Sequence, residues 1–116
     1  MKRGDVVLAY YPFAAGTGGS RRPALVVQSD VYNQQIRNTI IAQITTNFRR
    51  ANDPAHLPVT AGSAEGKQAG LLHDSVVSCT NLATVTDDRI NKVIGTLPAS
   101  AMTLVDACLR SALGLK

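Results

Sequence analysis

Ser20-Arg21-Arg22-Pro23-Ala24-Leu25-Val26-Val27-Gln28-Ser29-Asp30 is the stretch around which the chain organises itself. Its centre, Ala24 to Val27, is a short apolar run between Pro23 and Gln28-Ser29-Asp30, the pattern of a buried strand. Pro23 has no amide donor and fits the first position of a strand or an edge. Arg21 and Arg22 stand just upstream, and before them lies Gly16-Thr17-Gly18-Gly19-Ser20, a loop with few side chains. Glycines let a polyanion approach the backbone, and a rigid strand holds the adjacent guanidinium, Arg22, in one place. The combination suits an anion such as phosphate.

A chain of 116 residues with 45% apolar content reads as one domain over 1–116, with enough apolar side chains for a real core. No apolar run is long enough to cross a membrane, and Met1-Lys2-Arg3-Gly4-Asp5 lacks a signal-like apolar region, so the chain reads as cytosolic, with no membrane partner. Cys79 and Cys108 with His56 and His73 offer no zinc-ligand spacing, and the expectation is free thiols, one or both buried, with no metal and no cofactor. The net charge of +4 is uneven: residues 1–50 carry +5 and the remainder −1. A basic half suits a polyanion, an acidic protein segment, or both; a solvated surface is the plain alternative.

Asp5 to Phe13 alternates apolar residues on both faces and predicts a strand ended by Pro12. Ser29 to Asn38 is turn-like, with Ser29 or Asp30 able to cap a brief helix. Thr39 to Thr46 predicts the next strand, with Gln43 and Thr45 on one face. Loops are expected over 47–58 and 62–70, with a short edge strand at Leu57 to Thr60 between them. Leu71 to Cys79, Leu82 to Val85 and Arg89 to Leu97 predict further strands. Met102, Val105, Leu109 and Ala112 recur at helical spacing between Pro98 and Gly114, so Ala99 to Leu113 predicts an amphipathic helix packed on the sheet or on a second copy. Five to seven short strands without strand–helix–strand alternation imply a mainly β, small, mostly antiparallel, partly closed barrel with a C-terminal helix.

The chemistry concentrates on Arg22 and Thr45. If their strands are antiparallel neighbours, the two positions fall at one end of the pair. Arginine grips two phosphate oxygens at once and a threonine hydroxyl can donate to a third, which together suit the extra charge of a five-coordinate phosphorus transition state. The nucleophile need not come from the protein, since in RNA the adjacent 2′-hydroxyl can attack. The plainer reading of an arginine before a strand is a surface ion-pair partner. His73 and Asp74, if neighbours on one strand, point to opposite faces and do not pair. His56, between Pro54 and Pro58, reads as a structural or surface histidine.

The order of segments resembles the MazF/PemK family of toxin endoribonucleases from type II toxin–antitoxin modules. The likeness runs from Lys2-Arg3-Gly4-Asp5-Val6 through Arg22-Pro23-Ala24-Leu25-Val26-Val27 and Ile41-Ala42-Gln43-Ile44-Thr45. It continues through Gly70-Leu71, Asp74-Ser75-Val76-Val77 and Ile94-Gly95-Thr96-Leu97 to the helix with Met102. The resemblance implies an SH3-like (CcdB/PemK-like) barrel and a homodimer. It implies metal-independent, sequence-specific cleavage of single-stranded RNA to a 2′,3′-cyclic phosphate and a 5′-hydroxyl. It also implies a cognate antitoxin with an acidic, disordered C-terminal segment. The family's catalytic arginine and threonine fall on Arg22 and Thr45, and 14–20 corresponds to the loop that gates the RNA groove. Ser20, Arg21, Gln28, Arg49 and Arg50 are the expected RNA contacts. Some PemK-type members carry Arg-Cys-Asp in a later strand; here that stretch is Ser78-Cys79-Thr80. Guanidinium is a poor general base, so Arg22 is assigned to charge stabilisation and proton donation to the leaving oxygen, and the base is left unassigned.

Two other readings share the pattern. A CcdB-like gyrase poison acts by protein binding, but its C-terminal tryptophan motif is missing from a chain without tryptophan. A barrel that binds nucleic acid without cutting it has little aromatic stacking surface to work with.

Overall fold

The computed structural model describes residues 1–10 and 21–116. The elements are β1 (Asp5–Tyr10), β2 (Arg21–Val26), α1 (Asp30–Asn33), β3 (Asn38–Thr45), β4 (His56–Val59), α2 (Ala64–Gln68), β5 (Ser75–Thr86), β6 (Ile90–Thr96) and α3 (Ala99–Leu113). A single 3-10 turn, Asp87–Arg89, links β5 to β6. The strands form one antiparallel sheet in the order β4-β5-β3-β2-β1-β6, open between its β4 and β6 edges.

The central strands are apolar on both faces because both faces are covered. On one face Val6, Leu25, Ala42, Ile44, Val77 and Cys79 pack with Ala101, Val105 and Cys108 of α3. On the other, Val7, Ala9, Ala24, Val26, Ile41 and Val85 form a second cluster. Helix α3 begins after Pro98, whose carbonyl accepts from Met102 N at 3.0 Å. It ends on Gly114, whose φ of +69° is the left-handed conformation a helix stop favours. Residues 11–13 of the expected first strand lie outside the described residues.

Two expectations need correction. The stretch 62–70 holds the short helix α2, where the Ser63 hydroxyl accepts from Gly66 N at 3.0 Å and caps the first turn. The strands expected at 71–79 and 82–85 are one strand, β5, which starts only at Ser75. Its pairing with β3 jumps from Ala42↔Leu82 to Gln43↔Ser78, so the register passes over Cys79, Thr80 and Asn81. The polar break at Thr80-Asn81 is a bulge within a strand and not a turn between two.

Edges are handled by chemistry. Pro58 interrupts the donor row of edge strand β4. The N-terminus is fastened by Asp5, a buried carboxylate that accepts from Thr96 Oγ1 at 2.9 Å and Lys2 N at 2.8 Å. Arg3 ties the same corner to α3 through Asp106 at 2.7 Å.

Candidate active site

Pro23 decides where the β2–β3 ladder stops. The paired register runs from Val26↔Ile41 to Ala24↔Gln43, and Pro23 has no N–H with which to continue it. Two places further along the same register, Arg22 stands opposite Thr45. Both line one hollow of about 450 Å³, together with Gln43, Leu71, Leu72, His73, Lys92 and Ile94. Arg22 is exposed and in no ion pair among the described residues. Thr45 is half-buried, and its Oγ1 accepts from Asn47 N at 3.1 Å, which leaves its own proton for an outside acceptor.

The other walls arrive through irregular pairing. Strands β1 and β6 slip register twice, and Lys92 ends opposite Leu8, beside the hollow. Gly70, at φ +72°, lets the chain after α2 lie against β6, since a Cβ there would collide with the Ile94 carbonyl. Leu72 is 87% exposed at the rim, an apolar side chain that a strand assignment would have placed inside.

A second hollow of about 240 Å³ opens beside the first, lined by Gln43, Thr45, Asn47, Arg49, Arg50, His56, Ser78 and Asn81. The β5 register jump brings Asn81 to its wall. Asn81 Nδ2 donates to Ser78 Oγ at 2.8 Å, and Ser78 Oγ lies 3.0 Å from His56 Nε2. The ring's other nitrogen, Nδ1, faces Asp53. That nitrogen is buried 3.5 Å from Asp53 Oδ1, within ion-pair range but without a hydrogen bond. The Ala55 amide, and after it His56, holds the Asp53 carboxyl below its ordinary value.

The structure therefore gathers Arg22, Thr45, Arg49 and Arg50 around two adjoining hollows. Arg21 and Gln28 are brought to neither. Arg21 lies one residue from Arg22, on the alternate face, and donates to Asn91 Oδ1 at 2.8 Å. Gln28 lies just past the far end of β2, buried, its amide donating to Asn33 Oδ1 at 2.9 Å and Asn38 O at 2.8 Å. It holds the α1 turn. Ser20 and the glycine loop lie outside the described residues. His56 is buried at the start of β4, contrary to its reading as a loop residue. His73 lines the first hollow, while Asp74 accepts from Ala61 N at 2.9 Å, so the two do not pair. Sequence reasoning missed Gln43, Lys92, Leu72, Ser78 and Asn81. Only Gln43 carried a signal, its shared face with Thr45. Among the described residues no group of three or more His, Cys, Asp or Glu is placed to hold a metal ion, and no helix is long and apolar enough to cross a membrane.

Comparison with known proteins places this geometry in a lineage. The profile of the PemK-like, MazF-like toxins of type II toxin–antitoxin systems matches residues 2–113. Endoribonuclease EndoA of Bacillus subtilis (strain 168) is 33% identical over 116 residues, spanning 99% of this chain and 96% of that protein. The Mycobacterium tuberculosis toxin MazF-mt6 is similar in structure, with a TM-score of 0.77 and 27% identity over 97% of this chain and 98% of that one. A mycobacterial endoribonuclease solved in complex with its cognate antitoxin shares the fold, with a TM-score of 0.78 and 22% identity over 100% of this chain and 97% of that one. An unbroken match from the first strand to the last helix, on a sheet that brings Arg22 and Thr45 to one hollow, leaves one conclusion: the chain belongs to the PemK-like, MazF-like toxins of type II toxin–antitoxin systems.

Proposed function

We propose that this toxin is an endoribonuclease that cuts single-stranded RNA at a phosphodiester held between Arg22 and Thr45, in the cytosol and as a homodimer. The observation that carries the reading is the convergence of those two side chains, from neighbouring strands, on one hollow. The adjacent 2′-hydroxyl releases its proton to solvent and attacks phosphorus while the bond to the 5′ oxygen breaks, and solvent afterwards returns a proton to Arg22. The products are a 2′,3′-cyclic phosphate and a 5′-hydroxyl. Arg22 bridges two non-bridging oxygens as charge builds on them and hands a proton to the leaving oxygen. Thr45, with its lone pair occupied by Asn47 N, donates to the phosphate. The nucleophile is internal to the substrate and the arginine supplies the counter-charge, so the reaction runs without a metal or other cofactor. Relatives that are endoribonucleases favour cutting over binding alone.

The cationic track of Arg22, Lys92, Arg49 and Arg50 also suits the acidic segment of an antitoxin, which would inhibit by covering it. Membership of a family of type II toxin–antitoxin toxins supports this partner. The test is cleavage of a mixed-sequence RNA in EDTA, with the product ends identified. The wild-type chain should leave cyclic-phosphate ends, and Arg22→Ala should cut about a hundredfold to a thousandfold more slowly with an unchanged thermal melt. Cutting at the wild-type rate in that variant removes Arg22 from the chemistry.

A further inference from the structure

Gln43 stands on the wall shared by the two hollows. It faces the same side of β3 as Thr45, opposite Ala24 of β2 and Ser78 of β5, at the point where the β5 register jumps. Its side chain is half-buried, and its amide is bonded to no other described residue. Its neighbours differ: Asn81, Ser78 and His56 are linked to one another by hydrogen bonds.

An amide offers donors on nitrogen and an acceptor oxygen side by side. A phosphate has acceptors only and would leave that oxygen unmatched. A nucleobase edge presents a donor next to an acceptor, and paired hydrogen bonds to such an edge are how glutamine and asparagine read bases. Flanking cations complete the arrangement. Arg22 and Lys92 line the hollow on one side, and Arg49 and Arg50 line the other.

Building on the nuclease reading above, we propose that Gln43 determines specificity: its amide reads the edge of the nucleobase next to the phosphate held by Arg22 and Thr45. Arg49 and Arg50 hold the following phosphate, so that the base is presented to Gln43 and not to solvent.

The experiment maps the 5′ ends of fragments from one long RNA for the wild type, Gln43→Ala and Gln43→Glu, each checked for an unchanged melt. For Gln43→Ala, preference at a single position beside the cut should fall by about tenfold to a hundredfold, with the other positions kept. For Gln43→Glu, the same position should turn toward guanine. An ionised carboxylate only accepts, and guanine's N1–H and N2–H2 are adjacent donors. A recognition sequence identical in all three proteins overturns the role of Gln43 and leaves the nuclease reading standing. A wild-type chain that leaves RNA intact overturns both.

Discussion

One absent amide hydrogen, at Pro23, ends a ladder and opens a site. Had β2 and β3 paired for two more residues, Arg22 and Thr45 would face each other within a closed sheet, with less room for a ligand between them. The same scale explains why neither cysteine is a chemical centre. Burial first, and the nearby Cys108 second, push the Cys79 thiol up to about 12. Burial raises Cys108 as well. Both thiols therefore stay protonated at neutral pH, and only the thiolate is nucleophilic. The native chain should leave Cys79 and Cys108 unlabelled by an alkylating reagent at pH 7, whereas the urea-unfolded chain should take up label at both; rapid native labelling would contradict their burial. The linkage has a definite sign. A buried neutral thiol favours the fold below its ordinary value of 9.0, and that contribution falls away as pH rises from there toward about 12.

At the scale of elements, the close approach of the turn after α2 to strand β6 shapes the first hollow. A Cβ on Gly95 would collide with the Ala69 carbonyl, and one on Gly70 with that of Ile94. The two backbones touch, and neither glycine has a flexible neighbour that could give way. Gly95→Ala should cost about 1–3 kcal/mol in a urea titration and should weaken RNA cleavage by displacing the wall that carries Gly70 and Leu71. A variant as stable as the wild type would mean that the two backbones can move apart at no cost. Strand β5 shows the limit of local reading from the other side. Its apolar parts were legible as two strands, 71–79 and 82–85, separated by the polar Thr80-Asn81. Polar residues that leave a ladder have the same composition whether the chain reverses or merely bulges, and only the pairing with β3 distinguishes the two. Helix α2 was missed for a related reason. Five residues are too few to display a helical period, although Ser63 followed by Glu65 was a usable cap signal.

Across the whole molecule, charge and topology work together. The basic excess of residues 1–50 was visible in the sequence, and the fold places Arg22, Arg49 and Arg50 of that half around adjoining hollows. Replacing Arg49 and Arg50 together by Ala should flatten the salt dependence of binding to a non-cleavable 2′-deoxy oligonucleotide. The log–log slope should fall by about 0.7 for each phosphate of the single strand that is no longer neutralised; an unchanged slope would put both arginines outside the RNA track. Neighbouring residues were enough to define the apolar alternation of β1, β2 and β3, the missing donor at Pro23, and the bounds of α3 between Pro98 and Gly114, although β2 begins at Arg21 and not at Pro23. These features are local, since periodicity, a missing donor and a left-handed glycine act within a few residues. The likeness in segment order also singled out Arg22 and Thr45. Alternation already put Gln43 on the face of Thr45; that Lys92 joins them, and that Arg21 and Gln28 do not, emerged only from the folded sheet. Lys92 arrives through the slipped pairing of β1 with β6, strands far apart in the chain, and a shift of one residue sends a side chain to the opposite face; Arg21 is drawn to Asn91 of the distant β6, and Gln28 to Asn33 and Asn38.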